Sequence, residues 1–323
     1  ASFYFIPQGE WMLAAILYAF AAVGFSGGNV FYDSLIVSVS NNENRNRVSA
    51  LGYSLGYLGG GLLFLVNVIM FLNPQFFGIE NQSNAILISF VTVAFWWAFF
   101  SIPILRNVSE SDTKKQEPRF FKAILQSFNE VYQTLMEVRK YKNVAIFLLA
   151  YWFYMDGIDT IVRMATAYGS DIGLEASSMI TALILTQFVG FPSTLIFGYF
   201  ADKIGFKKII SIGILIYILI SIFASRITTA TEFYLMAVVV VLVMGGVQAV
   251  SRAYFSSIIP EDKEAQFFGF YNLVGKSAVV AGPALLAWIS MIFNTPRAGI
   301  LGLLILFIPG LILLWMVPTQ KNS

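Results

Sequence analysis

Nine times between residues 10 and 317 the chain runs for about twenty residues with very little charge, at 10–35, 48–71, 84–104, 143–165, 177–200, 208–226, 233–255, 266–291 and 298–317. A helix needs roughly 20 apolar residues to cross the hydrocarbon core of a bilayer, and these runs lack the dyad alternation of a transmembrane strand. They recur to the end of the chain, which a cleaved leader does not. The fold class predicted is therefore an all-α polytopic membrane protein whose first partner is the lipid bilayer. Composition agrees, with 58% of the 323 residues apolar and 12% charged, against ~25% charged in soluble domains.

The sequence contains no Cys and no His, which excludes disulfides, thiol nucleophiles, Cys/His metal sites and imidazole proton relays. It also lacks a G-x-x-x-x-G-K-[ST] phosphate loop, so nucleotide-driven pumping is not expected. The few acids are scattered, so no metal, no cofactor and no enzymatic constellation are expected. A net charge of +2 gives no electrostatic footprint for nucleic acid.

Basic residues orient the spans, because Lys and Arg collect in short cytoplasmic loops. Alternate connectors carry sixteen basic residues on one side and two, Arg226 and Arg297, on the other. This puts the first residue outside and the last inside. The opening "ASFYFIPQGE" lacks an initiating Met and begins on half a span, so an odd number of further spans is expected before it. The connector 105–142 divides the chain into 1–104 and 143–323. Within it Phe120, Phe121, Ile124, Leu125, Phe128, Val131, Leu135 and Val138 recur at helical spacing, predicting an amphipathic helix along the membrane face, either a strap between bundles or a partner-binding element.

Spans one and seven share a plan. Each has an acid at its outer entry (Glu10, Glu232), a deep glycine pair (Gly27 and Gly28, Gly245 and Gly246), a nearby amide (Asn29, Gln248) and a Gly-aromatic pair on the next span. The offset is six spans with both copies facing the same way, a parallel-repeat arrangement known among transporters. Between spans five and six, "GYFADKIGFKK" combines Gly198 for close approach, Asp202 as a cap or ion-pair partner, Gly205 for a reversal, and Lys207 and Lys208 as inner-leaflet anchors.

That G-x-x-x-D-x-x-G-x-K-K pattern resembles the signature loop of the major facilitator superfamily. With "NVFYDSLI", "RVSALGYSLGYLGGG", "DGIDTIVRMATAYG", "TQFVGFPSTLIFGYFADKIG", "SRAYFSSIIPEDKEAQFFGFYNLVGKSAVVAGP" and "RAGILGL", the chain is similar to the bacterial UMF1 branch, related to the Atg22-like vacuolar effluxers. The likeness touches nearly every span from residue 24 to about 303. It implies a major facilitator fold of two parallel-repeat bundles with nine of twelve spans present, the first three preceding residue 1. Residues 1–104 would then complete the N-terminal bundle and 143–323 form the C-terminal six-helix bundle. It further implies a monomeric secondary transporter in the bacterial inner (plasma) membrane, C-terminus cytoplasmic. It would move a small solute by alternating access, with amino acids, export and proton-coupled exchange among the options. A non-transporting scaffold or sensor acting through the central loop is the rival reading.

Charge inside spans points to the site. An Asp or Arg at mid-bilayer costs about 2.5–3.5 kcal/mol on insertion scales, so such groups normally face a bundle interior or cavity. Asp156, Asp159 and Arg163 follow at i,i+3 and i,i+4 in span four, on one helical face. Asp159 with Arg163 is readable as a structural pair, whereas Asp156, deeper and beside Gly157, is the expected proton or amine site. In span eight Lys276, with Tyr271 and Asn272 nearby, is expected to hold a substrate carboxylate, to pair with a carboxylate of span four, or to snorkel to the interface; opposite charges at Asp156 and Lys276 would suit a zwitterion, and Asp159 and Gln187 join these residues as substrate- or proton-binding candidates. Asn29 and Asp33 near the inner end of span one read as a polar terminus or gate contact, and Arg252 of span seven as their partner across the halves. Gln187, Gly190 and Pro192 predict a bend in span five, and Pro283 another in span eight. Gly52, Gly56 and Gly60 give span two a smooth packing face.

Overall fold

The structure, a computed structural model, describes residues 2–7, 9–41, 43–108, 133–260 and 263–318. Among these residues it is all helix: α1 (Trp11–Val39), α2 (Arg45–Leu72), α3 (Gln82–Asn107), α4 (Lys142–Asp171), α5 (Ala176–Ile204), α6 (Phe206–Ala224), α7 (Ala230–Ile258), α8 (Glu264–Ser277), α9 (Ala281–Phe293), α10 (Pro296–Gly302) and α11 (Leu304–Met316). Taking α8 with α9 and α10 with α11 as single crossings, nine candidate spans result among the described residues, matching the nine apolar runs.

Local chemistry sets several ends. Asn81 accepts a hydrogen bond from the Asn84 N–H at the start of α3, and Thr229 with Glu232 forms a capping box on α7. Gly205, at φ +93°, separates α5 from α6 in a conformation that L side chains rarely adopt. Two expected bends resolve differently. α5 runs without interruption through Gln187, Gly190 and Pro192. Span eight breaks at residues 278–280, ahead of Pro283; the proline thereby falls in the first turn of α9, where its missing N–H costs no helical bond.

The deepest core lies in the second part of the chain. Phe147, Tyr154 and Ile158 of α4, Ile210, Ile214 and Tyr217 of α6, Val247 and Phe255 of α7 and Phe307 of α11 are almost wholly buried. By contrast α1 and α3 each bury a single residue, Ile36 and Ala85. α2 joins the two regions by packing on α5 and α7. The ring of Tyr57 fills a socket made by two glycines: a Cβ at Gly190 would lie 2.6 Å from Tyr57 Cδ1, and one at Gly245 2.6 Å from Tyr57 Cε2. Backbone approach this close requires Gly.

Most of the predicted amphipathic strap, Phe120 to Val131, lies outside the described residues. Residues 133–138 are helical, with Val138 buried, and dock on α8: Gln266 Nε2 donates to Thr134 Oγ1 at 2.7 Å and Lys263 Nζ donates to Glu137. The Lys263 hydrogen bond holds the Glu137 carboxyl below its ordinary range and, reciprocally, raises the Lys263 ammonium. A lowered carboxylate contributes above its unfolded pKa and loses its contribution as pH falls through the folded value, whereas a raised lysine loses its contribution as pH rises through the folded value. The contact therefore persists throughout the neutral range. The protection factor of residues 133–138 against hydrogen exchange, with the intrinsic pH dependence divided out, should be flat across neutral pH and fall in acid, and Glu137→Gln should remove that pH step.

The glycine socket gives a second test. Gly245→Ala overpacks it against Tyr57 and Thr194 and should cost about 1–3 kcal/mol, read as a Tm lowered by several degrees in detergent. Gly27→Ala, where nothing lies within 4 Å of the added carbon, should not lower Tm.

Candidate functional site

A cavity of about 590 Å³ lies between α1 and α2 on one side and α4, α5, α7 and α8 on the other. On α4 it takes Tyr151, Met155, Asp159 and Arg163, spaced every four residues; each such step drifts about 40° around a helix, so the stripe winds along the cavity wall. α2 contributes Tyr53 and Tyr57 with Gly52 and Gly56, the latter pair thinning the wall. α8 presents Tyr271, Asn272, Gly275 and Lys276, α5 presents Gln187, and α7 presents Met244, Gln248 and Arg252. Asn29, Tyr32 and Asp33 of α1 complete it. Stacked Tyr151 and Tyr271, with ring centres 4.3 Å apart, and Phe255 behind Tyr271 at 4.7 Å fix α4, α8 and α7 around this wall.

Two charge groups occupy the cavity. At one end each nitrogen of the Arg252 guanidinium donates a hydrogen bond. Nη1 donates to Asp33 Oδ1 at 3.0 Å, Nε to Ser49 Oγ at 2.9 Å and Nη2 to the Ser49 carbonyl at 3.2 Å. The Tyr53 ring centre lies 4.7 Å away. Arg252 is 4% and Asp33 13% exposed. Neighbouring bonds tie α2 to α7 and α5: Ser49 Oγ donates to the Ala249 carbonyl at 2.9 Å and Arg45 to the Ser256 carbonyl at 3.2 Å on α7, and Asn46 to the Gly198 carbonyl at 2.7 Å and to Asp202 at 2.8 Å on α5. Together they seal the end that carries the basic loops. The second group is Asp159 with Arg163 and Lys276, the cations whose fields act on it. Among the described residues the ion pairs are Arg252 with Asp33 and Lys263 with Glu137, so these three charges meet the cavity without a direct ionic partner. Lys276 Nζ lies 5.5 Å from the Phe25 ring centre.

Asp156 does not face the cavity. It is fully buried, and its Oδ1 accepts the N–H of Gly282 at 2.9 Å. Gly282 is the second residue of α9, so Asp156 caps from another helix one of the N–H groups that the break in span eight exposes. A Cβ on Gly282 would collide with Thr160 Oγ1 and lie 2.7 Å from Asp156 Oδ1. Of the two acids of span four, the one that shares a cavity with Lys276 is Asp159. At 100° per residue Asp156 sits about 60° around α4 from Asp159, far enough at the cavity's edge to turn one carboxylate to solvent space and the other to a helix end.

The signature-loop residues lie at the sealed end. Gly198 packs against Ala50, where a Cβ would come within 2.6 Å of the Ala50 methyl, and Asp202 accepts from Asn46 across the helices. Lys207 Nζ donates to the Trp315 and Val317 carbonyls at 3.3 and 2.6 Å, closing the C-terminus of α11. Lys208 is exposed. Tyr57, Tyr151, Met155 and Met244 escaped the sequence reading. Extending the four-residue spacing back from Arg163 and Asp159 reaches Met155 and Tyr151, so that pair had a usable signal. Tyr57 and Met244 had none beyond their place in apolar runs.

Removing one partner of a buried ion pair costs about 3–5 kcal/mol. Asp33→Asn should therefore lower Tm substantially in detergent. Asp156→Asn, which keeps an acceptor for the Gly282 N–H, should cost less than Asp156→Leu, which strands that donor at about 1–3 kcal/mol.

Comparison with known proteins follows this geometry. The family profile described as "Vacuole effluxer Atg22 like" matches residues 1–323. The MFS-type transporter YxiO of Bacillus subtilis is 37% identical over 320 residues, covering 99% of this chain and 74% of that protein. Autophagy-related protein 22 of Yarrowia lipolytica is 23% identical over 352 residues, covering 94% of this chain and 55% of that protein. The chain thus spans about half the length of this fungal relative. Among solved structures the fucose:proton symporter of E. coli superposes with a TM-score of 0.64 at 8% identity, covering 90% of this chain and 73% of that one, a likeness of fold alone.

Proposed function

The chain belongs to the Atg22-like effluxer family of the major facilitator superfamily, and from that premise we propose that this integral membrane transporter carries a small zwitterionic solute, an amino acid foremost, outward by alternating access. The observation that carries the reading is the cavity itself. It sits among apolar spans, holds Asp159 together with the cations Arg163 and Lys276, and is tied at one end by hydrogen bonds between α1 or α2 and α5 or α7. Charges of both signs are expensive in a bilayer unless something polar compensates them. A solute bearing an ammonium and a carboxylate does so, with Asp159 taking the ammonium or a co-transported proton and Lys276 or Arg163 the carboxylate.

The Arg252–Asp33 layer serves as the gate. Hydrogen bonds to a charged group contribute about 1.5–3 kcal/mol each in net terms, so this layer holds one end shut and opens at the expense of the differential binding energy that a solute supplies. The loops next to it hold Arg45, Arg47, Lys203, Lys207, Lys208 and Lys263, which supports a cytoplasmic position for the sealed end and for the C-terminus, in a bacterial plasma membrane. Residues 1–104 and 143–323 act as the two bodies that rock about the cavity, within one monomer.

The test is counterflow in proteoliposomes, using protein expressed from its full-length gene and loaded with unlabelled amino acids. Saturable, trans-stimulated uptake is expected, with Asp159→Asn reducing it by about tenfold or more, equivalent to about 1.4 kcal/mol or more. Folded protein that gives no saturable counterflow with any amino acid would overturn the carrier reading in favour of a sensor or scaffold.

A further inference from the structure

We propose that the cavity selects a solute with one more negative than positive charge, of which an acidic α-amino acid is the fitting class; this rests on reading the cavity as the transport site. The selection is a balance of charge: Arg163 and Lys276 are exposed and Asp159 half-buried in the open cavity, and closure around a solute takes all three from water. Among the described residues five formally charged side chains line the cavity, the cations Arg163, Arg252 and Lys276 against the carboxylates Asp33 and Asp159. Arg252 is spent. Each of its three nitrogens donates to Asp33 or Ser49, and its face lies against Tyr53, so its charge and that of Asp33 cancel one another within the protein. What a solute meets is a net balance of one carboxylate and two cations: Asp159 and Arg163 on α4, and Lys276 on the adjoining α8.

An ionised group taken from water must be paired or the penalty remains. A neutral zwitterion places its ammonium on Asp159 and its carboxylate on one cation, and leaves the other cation uncompensated. A basic amino acid adds a like charge to that surplus. A dicarboxylate without an amine satisfies both cations but sets an anion against Asp159. One ammonium with two carboxylates matches all three groups. The two cations also differ in form: the Arg163 guanidinium offers the planar fork that holds a carboxylate by two bonds, and the Lys276 ammonium is a point charge able to meet a carboxylate from varied angles. The remaining polar lining, including Gln187 and Asn272, supplies amide donors for the carboxylate oxygens that the cations do not reach. The volume of about 590 Å³ lies within the range of small-molecule sites and leaves room for solute and water together.

The experiment compares glutamate and aspartate with their amide isosteres glutamine and asparagine, which keep shape and lose one charge. Leucine and lysine serve as further competitors, all in the proteoliposome counterflow assay at neutral pH. The acidic members should compete about tenfold more strongly than the amides, equivalent to about 1.4 kcal/mol. Lys276→Gln should shrink that ratio towards unity, and Lys276→Arg, which keeps the charge, should retain it. Thermal stabilisation of each purified variant by glutamate against glutamine gives a binding readout that also shows whether the variant folds. Equal or better transport of the amides or leucine by the unmodified protein overturns the charge-selection proposal and leaves the amino-acid carrier reading standing. Absence of counterflow with every amino acid, in protein shown to be folded, overturns both.

Discussion

A guanidinium inside a membrane bundle must have its N–H groups met by protein, and Arg252 is where this structure satisfies that demand. It sits on α7 and is met by Asp33 of α1 and by the side chain and carbonyl of Ser49 on α2. None of its hydrogen-bond partners belongs to its own helix, so burial of the charge and closure of that end of the cavity are one event. Separating α1 and α2 from α7 would strip the cation of its acceptors all at once. The cost of doing so in a low dielectric makes the closed arrangement discrete rather than gradually deformable. Ser49 deepens the coupling, because the oxygen that receives Arg252 Nε also donates to the Ala249 carbonyl, and hydrogen bonds in such chains polarise one another.

α4 shows how a helix can use two acids three residues apart for unrelated ends. Asp159 keeps a half-buried place on the cavity wall, whereas Asp156 is spent on the backbone of another helix. The break at 278–280 leaves the first N–H groups of α9 without partners inside a region where water is scarce. A carboxylate from a neighbouring helix both accepts one of those bonds and lies at the favourable end of the α9 dipole. The tight fit of Gly282 against Thr160 and Asp156 is the steric counterpart of this arrangement, since any larger residue would push the helix end off its cap.

Much of the architecture is legible in residue order because bilayer thickness and loop charge act on the chain locally. Twenty apolar residues make a span wherever they occur, which is why all nine runs return as candidate crossings. Arg252 and Asp33 were also approachable, since a charge in a span demands a partner and few were available. The division between Asp156 and Asp159 was not, because 60° of rotation decides it and the cavity edge is set by tertiary packing. Nor was the socket around Tyr57, whose meaning depends on two glycines more than a hundred residues away in sequence. The repeat illustrates the same limit. Gly245 and Gly246 are packed tightly against Tyr57, Thr194 and Phe197, while Gly27 and Gly28 have nothing within 4 Å, so similar words in two spans carry different contacts.

The short helix α8 gathers these constraints. Its first turn is tied through Lys263 and Gln266 to the strap residues Glu137 and Thr134, and the break after its last turn is followed by α9, anchored on Asp156. Between those ties it carries Tyr271, Asn272 and Lys276 on the cavity wall and packs against α1 and α4. α8 is separated from its own continuation by a non-helical turn, so it can tilt without dragging α9 through a continuous hydrogen-bond ladder. A tilt of this kind changes the separation of Lys276 from Asp159, because one rides on α8 and the other on α4. The charge pattern on the cavity wall thus follows the attitude of a fourteen-residue helix, and its stacking of Tyr271 on Tyr151 resists any change in that attitude from within the cavity wall itself.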